Sequence, residues 1–183
     1  KATAAHVPPG EAVFFRSFFA IPVILLWLAL RGDLRTGLKA TSPLNHFWRG
    51  FVGTAAMGLG FAALGLLPLP EVTALGYAAP LLVVIFAAMF LNEQVGVVRI
   101  GAVALGLGGV LIVLAPRLTA LSGPTMETMQ AVGAMLALTG AICAALAQIY
   151  VRKLVQTEET SAIVFYFSIT STLLSPYFGA SGL

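Results

Sequence analysis

Glu71–Leu91 reads EVTALGYAAPLLVVIFAAMFL, one carboxylate followed by twenty residues without a charge. Twenty residues of α-helix rise about 30 Å, the thickness of bilayer hydrocarbon. A transmembrane barrel strand would instead alternate apolar and polar residues over about ten positions, and this run does not alternate. It therefore reads as a membrane-spanning helix. Glu71 suits the positive end of the helix dipole, and Asn92 and Glu93 close the run. Within it, Gly76 and Pro80 stand four apart. The proline deletes one backbone donor and the glycine loosens the same turn, so a bend is expected there, either static or a moving hinge.

Working outward, the same pattern recurs. The chain has 183 residues, of which 59% are apolar and 9% charged, with a mean hydropathy of +0.98. A soluble domain carries about 25% charged residues, so a soluble globular protein is excluded. Six spans are expected. The first covers about 12–30, after Pro8 and Pro9 and with Glu11 in its opening turn; the second runs from Ser42 and Pro43, as cap and first-turn residue, to Leu67. The third is Glu71–Leu91. The fourth runs from Val97 to about Ala115 with Pro116 just beyond it, and the fifth from Thr128 to Val151 after a Ser122–Gly123–Pro124 turn. The sixth opens at Thr157 with Glu158 and Glu159 in its first turn and has Pro176 inside it. The expected fold is all-α, a polytopic transmembrane helical bundle.

Charge distribution sets the orientation, because cytoplasmic loops retain Lys and Arg. Arg31, Arg35, Lys39, Arg49, Arg99, Arg152 and Lys153 fall on one side of a six-span path, and Lys1, Arg16 and Arg117 on the other. The first group is placed inside. Trp27 and Trp48 then lie at the inner ends of their helices, as an interfacial aromatic belt requires. The net charge of +3 is explained by this asymmetry, and nucleic acid is not an expected partner. Cys143 is the single cysteine, which excludes an intrachain disulfide and reads as a small packing residue. The chain begins without Met and stops within an apolar run, as a piece of a longer protein would.

Glu11–Phe18 (EAVFFRSF) is weakly similar to Ser161–Ser168 (SAIVFYFS) at an offset of 150, with two of eight positions identical. The matched helices are the first and sixth spans. A repeat of five helices inverts its second copy, and inverted repeats are a transporter architecture.

No enzymatic pattern is visible. There is no GxSxG or HExxH and no carboxylate pair within a span, and His6 and His46 lie in loops forty residues apart. No catalytic residue, metal site or cofactor is expected. Function then rests on helix packing, helix breaks and polar side chains. Gly133, Ala137, Ala141 and Ala145 repeat at spacing four in the fifth span, as do Ala102 with Gly106 and Ala104 with Gly108 in the fourth. They serve ordinary close packing or a sliding surface. Arg16 lies about one turn inside the first span and either snorkels to the interface or holds a carboxylate or a partner helix. Tyr77, Gln148 and Tyr166 each need a polar partner in hydrocarbon, an interhelical hydrogen bond or a substrate. Glu71 and Glu93 are accounted for by helix ends. No carboxylate lies deep in the six spans, so proton coupling resides in other helices or the protein is a facilitator or exchanger.

These residues resemble the drug/metabolite transporter superfamily, specifically its EamA-type permeases. The resemblance is carried by Glu11–Ala20 (EAVFFRSFFA), with the family's Arg at Arg16, and by Ala78–Pro116, with Pro80 in a helix, Glu93 at its cytoplasmic end and the closing Gly109–Val113 (GVLIV). It implies ten helices in two inverted five-helix repeats. Residues 1–116 would hold helices two to five, and 117–183 the first two helices of the second repeat. One helix is then expected before Lys1 and three after Leu183. The resemblance also implies an inner-membrane transporter of small metabolites by alternating access. Leu67–Pro80 (LPLPEVTALGYAAP) is most similar to branches handling amino acids, S-adenosylmethionine or riboflavin. The candidate pathway residues are Tyr77, Pro80, Gln148, Tyr166 and Arg16, and the hinge or packing residues are Gly76, Gly133, Ala137 and Ala141. The expected partners are a small-molecule substrate, the lipid bilayer and, as an assembly option, a second copy in a homodimer. An uptake permease for a cofactor-like solute and a membrane enzyme or assembly subunit are the alternatives.

Overall fold

The computed structural model describes residues 9–34, 37–119 and 125–180. Lys1, His6, Pro8, Arg35 and the Ser122–Pro124 turn lie outside them. The described residues form seven helices and no strand: α1 Pro9–Arg31, α2 Pro43–Leu66, α3 Leu69–Gly76, α4 Ala78–Leu91, α5 Val97–Thr119, α6 Thr125–Leu154 and α7 Thr160–Ala180. Five stretches are long and apolar enough to cross a bilayer: Val13–Arg31, Pro43–Leu66, Leu69–Leu91, Val97–Pro116 and Thr128–Leu154. The apolar part of α7, Thr160–Leu174, is shorter.

The third span is broken where its sequence is weakest. α3 ends at Gly76, Tyr77 caps it and α4 begins at Ala78. Pro80 has no N–H to return to the Gly76 carbonyl, so the ladder lacks one rung at this turn. α4 then stops at Asn92, whose left-handed φ of 52° ends the helix. Gly32 does the same after α1 with φ of 74°.

Three local expectations are corrected. Pro116 lies inside α5 rather than beyond it, as Pro22 lies inside α1. Ser42 makes no side-chain cap, although Pro43 does open α2. Glu158 and Glu159 precede α7, which starts at Thr160, because Glu158 is drawn to the start of α2 instead.

α6 sits at the centre, packed along α2 and against α3, α4 and α5. α7 packs on α1 and α2. Lipid tails are as apolar as leucine, so the hydrophobic effect does not hold these helices together; close van der Waals contact does. Gly133, Ala137, Ala141 and Ala145 are all buried. A Cβ on Gly133 would stand 2.8 Å from Leu66 Cβ, and one on Gly140 would stand 3.3 Å from Leu59 Cβ. The buried cluster Ala63, Leu67, Leu75, Ala78, Val110, Leu114, Ala134, Ala137 and Ala141 closes the outer half. The small residues of α5 behave differently. Gly106 abuts Leu81 of α4, whereas Gly108 faces open space and Ala102 and Ala104 are exposed.

α2 meets α7 through glycines and hydroxyls. A Cβ on Gly50 would stand 2.6 Å from Thr170, and Thr54 Oγ1, fully buried, lies 2.7 Å from Ser171 Oγ while also donating to the Gly50 carbonyl. Ser168, Thr170 and Thr172 return their hydroxyls to carbonyls one turn back in α7. These three hydroxyls are thereby satisfied without water. Phe15, Phe19, Val23, Leu105 and Ile112 are exposed on α1 and α5, which suits a lipid surround.

The packing predicts that Gly133→Ala separates α6 from α2 and costs about 1–3 kcal/mol. Gly101→Ala, where nothing lies within 4 Å, is expected to change stability by no more than about 0.5 kcal/mol. Unfolding of the two variants in detergent titrations checks the contrast.

Candidate functional site

The densest polar group of the described residues lies where the α1–α2 connection meets α7. Glu158 Oε1 accepts the backbone N–H groups of Thr41 at 3.1 Å and Ser42 at 2.8 Å. Its Oε2 accepts from His46 Nε2 on the first turns of α2. The carboxylate thus holds the N–H groups of Thr41 and of the N-cap residue Ser42 and places negative charge at the positive end of α2. It is enclosed: the side chains of His46 and Glu158 are 3% and 0% exposed. Ser161 donates to the Gly37 carbonyl at 2.8 Å and Tyr166 to the Leu38 carbonyl at 3.2 Å. The His46 ring rests against Tyr166 with centroids 4.8 Å apart, and its Nδ1 is buried without a hydrogen-bond partner. Glu158, just before α7, and Ser161 and Tyr166 within it therefore grip the α1–α2 connection by three side chains.

A second tie spans the inner ends of α4 and α6. Arg152 donates to Glu93 at 3.2 Å, but the side chains are 41% and 37% exposed, so the pair contributes at most about 1 kcal/mol. Arg31 lies 4.3 Å from the centre of the Trp27 ring, and Trp48 is exposed on the opening turns of α2. Both tryptophans flank the same α1–α2 connection.

The candidate pathway residues are not gathered at one point. Tyr166 lies in the Glu158 group, where it makes a hydrogen bond between elements. Arg16 projects from α1 to donate to Met57 Sδ of α2 at 2.7 Å. Tyr77, 70% exposed, and exposed Pro80 stand at the break of the third span, and Gln148 is exposed on α6. Gly76 ends α3. Among the described residues no three His, Cys, Asp or Glu side chains are grouped to hold a metal ion.

His46 was expected in a loop and is in α2. Pro43 in the first helical turn already put residue 46 inside the helix, and that signal was available. Glu158 had no such signal, because its partners stand 112 to 117 residues away. Arg49 was read only as an orientation charge, although it lies six residues into α2. Its guanidinium carbon stands 4.1 Å from the centre of the Phe167 ring of α7.

This bundle of closely packed spans can be set beside known proteins. The EamA-like transporter family matches residues 1–115, more than half of the chain. The chain belongs to that family. Among EamA-like relatives, the pseudopaline exporter CntI of Pseudomonas aeruginosa is 30% identical over 176 residues, covering 96% of this chain and 58% of that protein. The S-adenosylmethionine uptake transporter of Rickettsia bellii is 28% identical over 165 residues, covering 90% of this chain and 53% of that protein. The chain spans about half the length of the curated relatives it matches. No solved structure matches it. The membership, together with five span-length apolar helices, makes this EamA-like chain part of a multi-pass integral membrane protein.

Removing the Glu158 carboxylate strands the buried His46 imidazole and the part-buried Ser42 N–H, and frees the Thr41 N–H at the exposed rim. Glu158→Ala is expected to destabilise the protein by about 3 kcal/mol. Glu158→Gln should recover part of that loss, since an amide oxygen still accepts the backbone N–H groups. Thermal unfolding of both variants in the same detergent checks the order.

Proposed function

We propose that the full protein is an inner-membrane transporter of small metabolites, amino acids or related solutes, working by alternating access. The observation that carries this reading is the similarity along 96% of the chain to a named metabolite exporter. Family membership and the relatives' names favour transport over enzymatic chemistry. A second reading, uptake of S-adenosylmethionine or another cofactor-like solute, is favoured by the Rickettsia relative.

The geometry supports a division of labour within this frame. α1, α2 and α7 are joined at their inner ends by Glu158, Ser161 and Tyr166 and deeper in by Thr54 and Ser171. They move as one body. The Gly- and Ala-lined contact of α6 on α2 carries few large knobs, so the second body slides there at low cost. The broken third span lies on that second body, with Tyr77 and Pro80 facing outward from the packed core. α1 and α7, the pair matched at an offset of 150, pack side by side, which supports the reading of two inverted repeats.

Solute counterflow tests the proposal, using the full-length protein in proteoliposomes with labelled amino acids, S-adenosylmethionine and riboflavin. Saturable exchange of one class is expected; absence of exchange by folded protein for all three removes the substrate proposal. Tyr77→Ala, at a site too exposed to matter for folding, should shift KM by roughly threefold, the worth of one hydrogen bond in a membrane protein. Unchanged kinetics would take Tyr77 out of the pathway.

A further inference from the structure

We propose that Arg16 and Arg49 form an anion site on α2 that takes the carboxylate groups of the transported solute; this rests on the transporter reading above. Arg49, Gly53 and Met57 follow one another at spacing four on α2 and so share one face. Helical side chains lean toward the helix N-terminus, which for α2 is the inner end, and an arginine near an interface snorkels outward. Both tendencies would carry Arg49 back toward the inner surface. It goes the other way. Its Nη1 lies over Gly53, where a Cβ would come within 2.5 Å of it, one turn deeper into the membrane. One face of the guanidinium is covered by the Phe167 ring.

Arg16 arrives at the next turn. Its Nη1 meets Met57 Sδ at 2.7 Å, so the two guanidinium groups touch successive positions, Gly53 and Met57, of one helix face. Neither has a carboxylate partner among the described residues. Arg49 Nε is buried without any hydrogen bond, and a thioether is a weak acceptor. The acid that packs at this end of α2, Glu158, is occupied by Thr41, Ser42 and His46.

Two cations of like sign are thus held inward, one against a sulfur and the other against a ring, in a setting where a single cation is already costly. A carboxylate entering between them neutralises the repulsion and supplies charge-assisted, bidentate acceptors to forks that have none. Gly53 leaves room for the Arg49 head, and Arg16 is exposed, so the pair is reachable from the space beside α1 and α2.

The test uses the full-length protein in phosphatidylcholine nanodiscs, with glutarate as probe and uncharged glutaramide as its match, at constant ionic strength. Glutarate is expected to raise the thermal midpoint saturably and glutaramide to leave it unchanged. Arg49→Gln and Arg16→Gln should each weaken the glutarate response roughly tenfold, the loss of one charge-assisted pair. Arg49→Lys, which keeps the charge and the fold but loses the fork, should also weaken it. Equal responses to the two probes, or an unchanged response in Arg49→Lys and Arg16→Gln, overturns the proposal. Loss of the response when phosphatidylglycerol is added assigns the site to lipid phosphate and overturns its solute role. Counterflow on the same variants separates the two layers: exchange indifferent to both arginines leaves a transporter without this site, and glutarate binding without any exchange leaves the site but removes the transporter.

Discussion

Everything in this bundle depends on how near α6 can come to α2. In hydrocarbon there is no gain from hiding apolar surface, so two helices stay together only if many atoms touch. Side chains larger than methyl would hold the backbones apart, and at Gly133 and Gly140 even a methyl meets the opposite helix. The approach in turn lets α3, α4 and α5 close around the outer half of α6, leaving the larger residues to face outward.

Polar contacts have a different part. The membrane makes an unmet N–H or hydroxyl expensive, and Ser168, Thr170 and Thr172 meet theirs locally, by hydroxyls returned within α7. The exceptions are informative. Glu158 satisfies the start of another helix rather than its own, which ties together segments that are distant in sequence. Arg16 and Arg49 are left without acid partners among the described residues. Structural needs account for the first arrangement but not for the second.

The spans were legible because charge is excluded from hydrocarbon whatever the fold; the run from Glu71 to Asn92 is a span that the structure also has, divided into α3 and α4. The break at Tyr77 was legible for a local reason too, since Pro80 removes a backbone donor regardless of context. Helix ends were less so. Ser42 looks like a cap in isolation, but Glu158 supplies a stronger, charged acceptor from across the bundle, and no window around residue 42 contains that information. The candidate site was read in part: Tyr166 and Arg16 were singled out as polar groups needing partners, whereas their actual contacts with Leu38 and Met57 required the packing of α7 and α2. Arg49 escaped because a cation near a helix start reads as interfacial until its direction is known.

The interruption of the third span has a mechanical side. α3 has only eight residues, a rod of about 12 Å, and it is joined to α4 through the single residue Tyr77. With one ladder bond absent at that joint, α3 can tilt about a pivot inside the span, its far end at Pro68 and Leu69 following the buried Leu67. A tilt of roughly 20°, the size of an ordinary helix kink, carries that end through about 4 Å. The displacement is comparable with the width of a carboxylate, and it leaves the inner two-thirds of the span, with its Glu93–Arg152 tie, where it was.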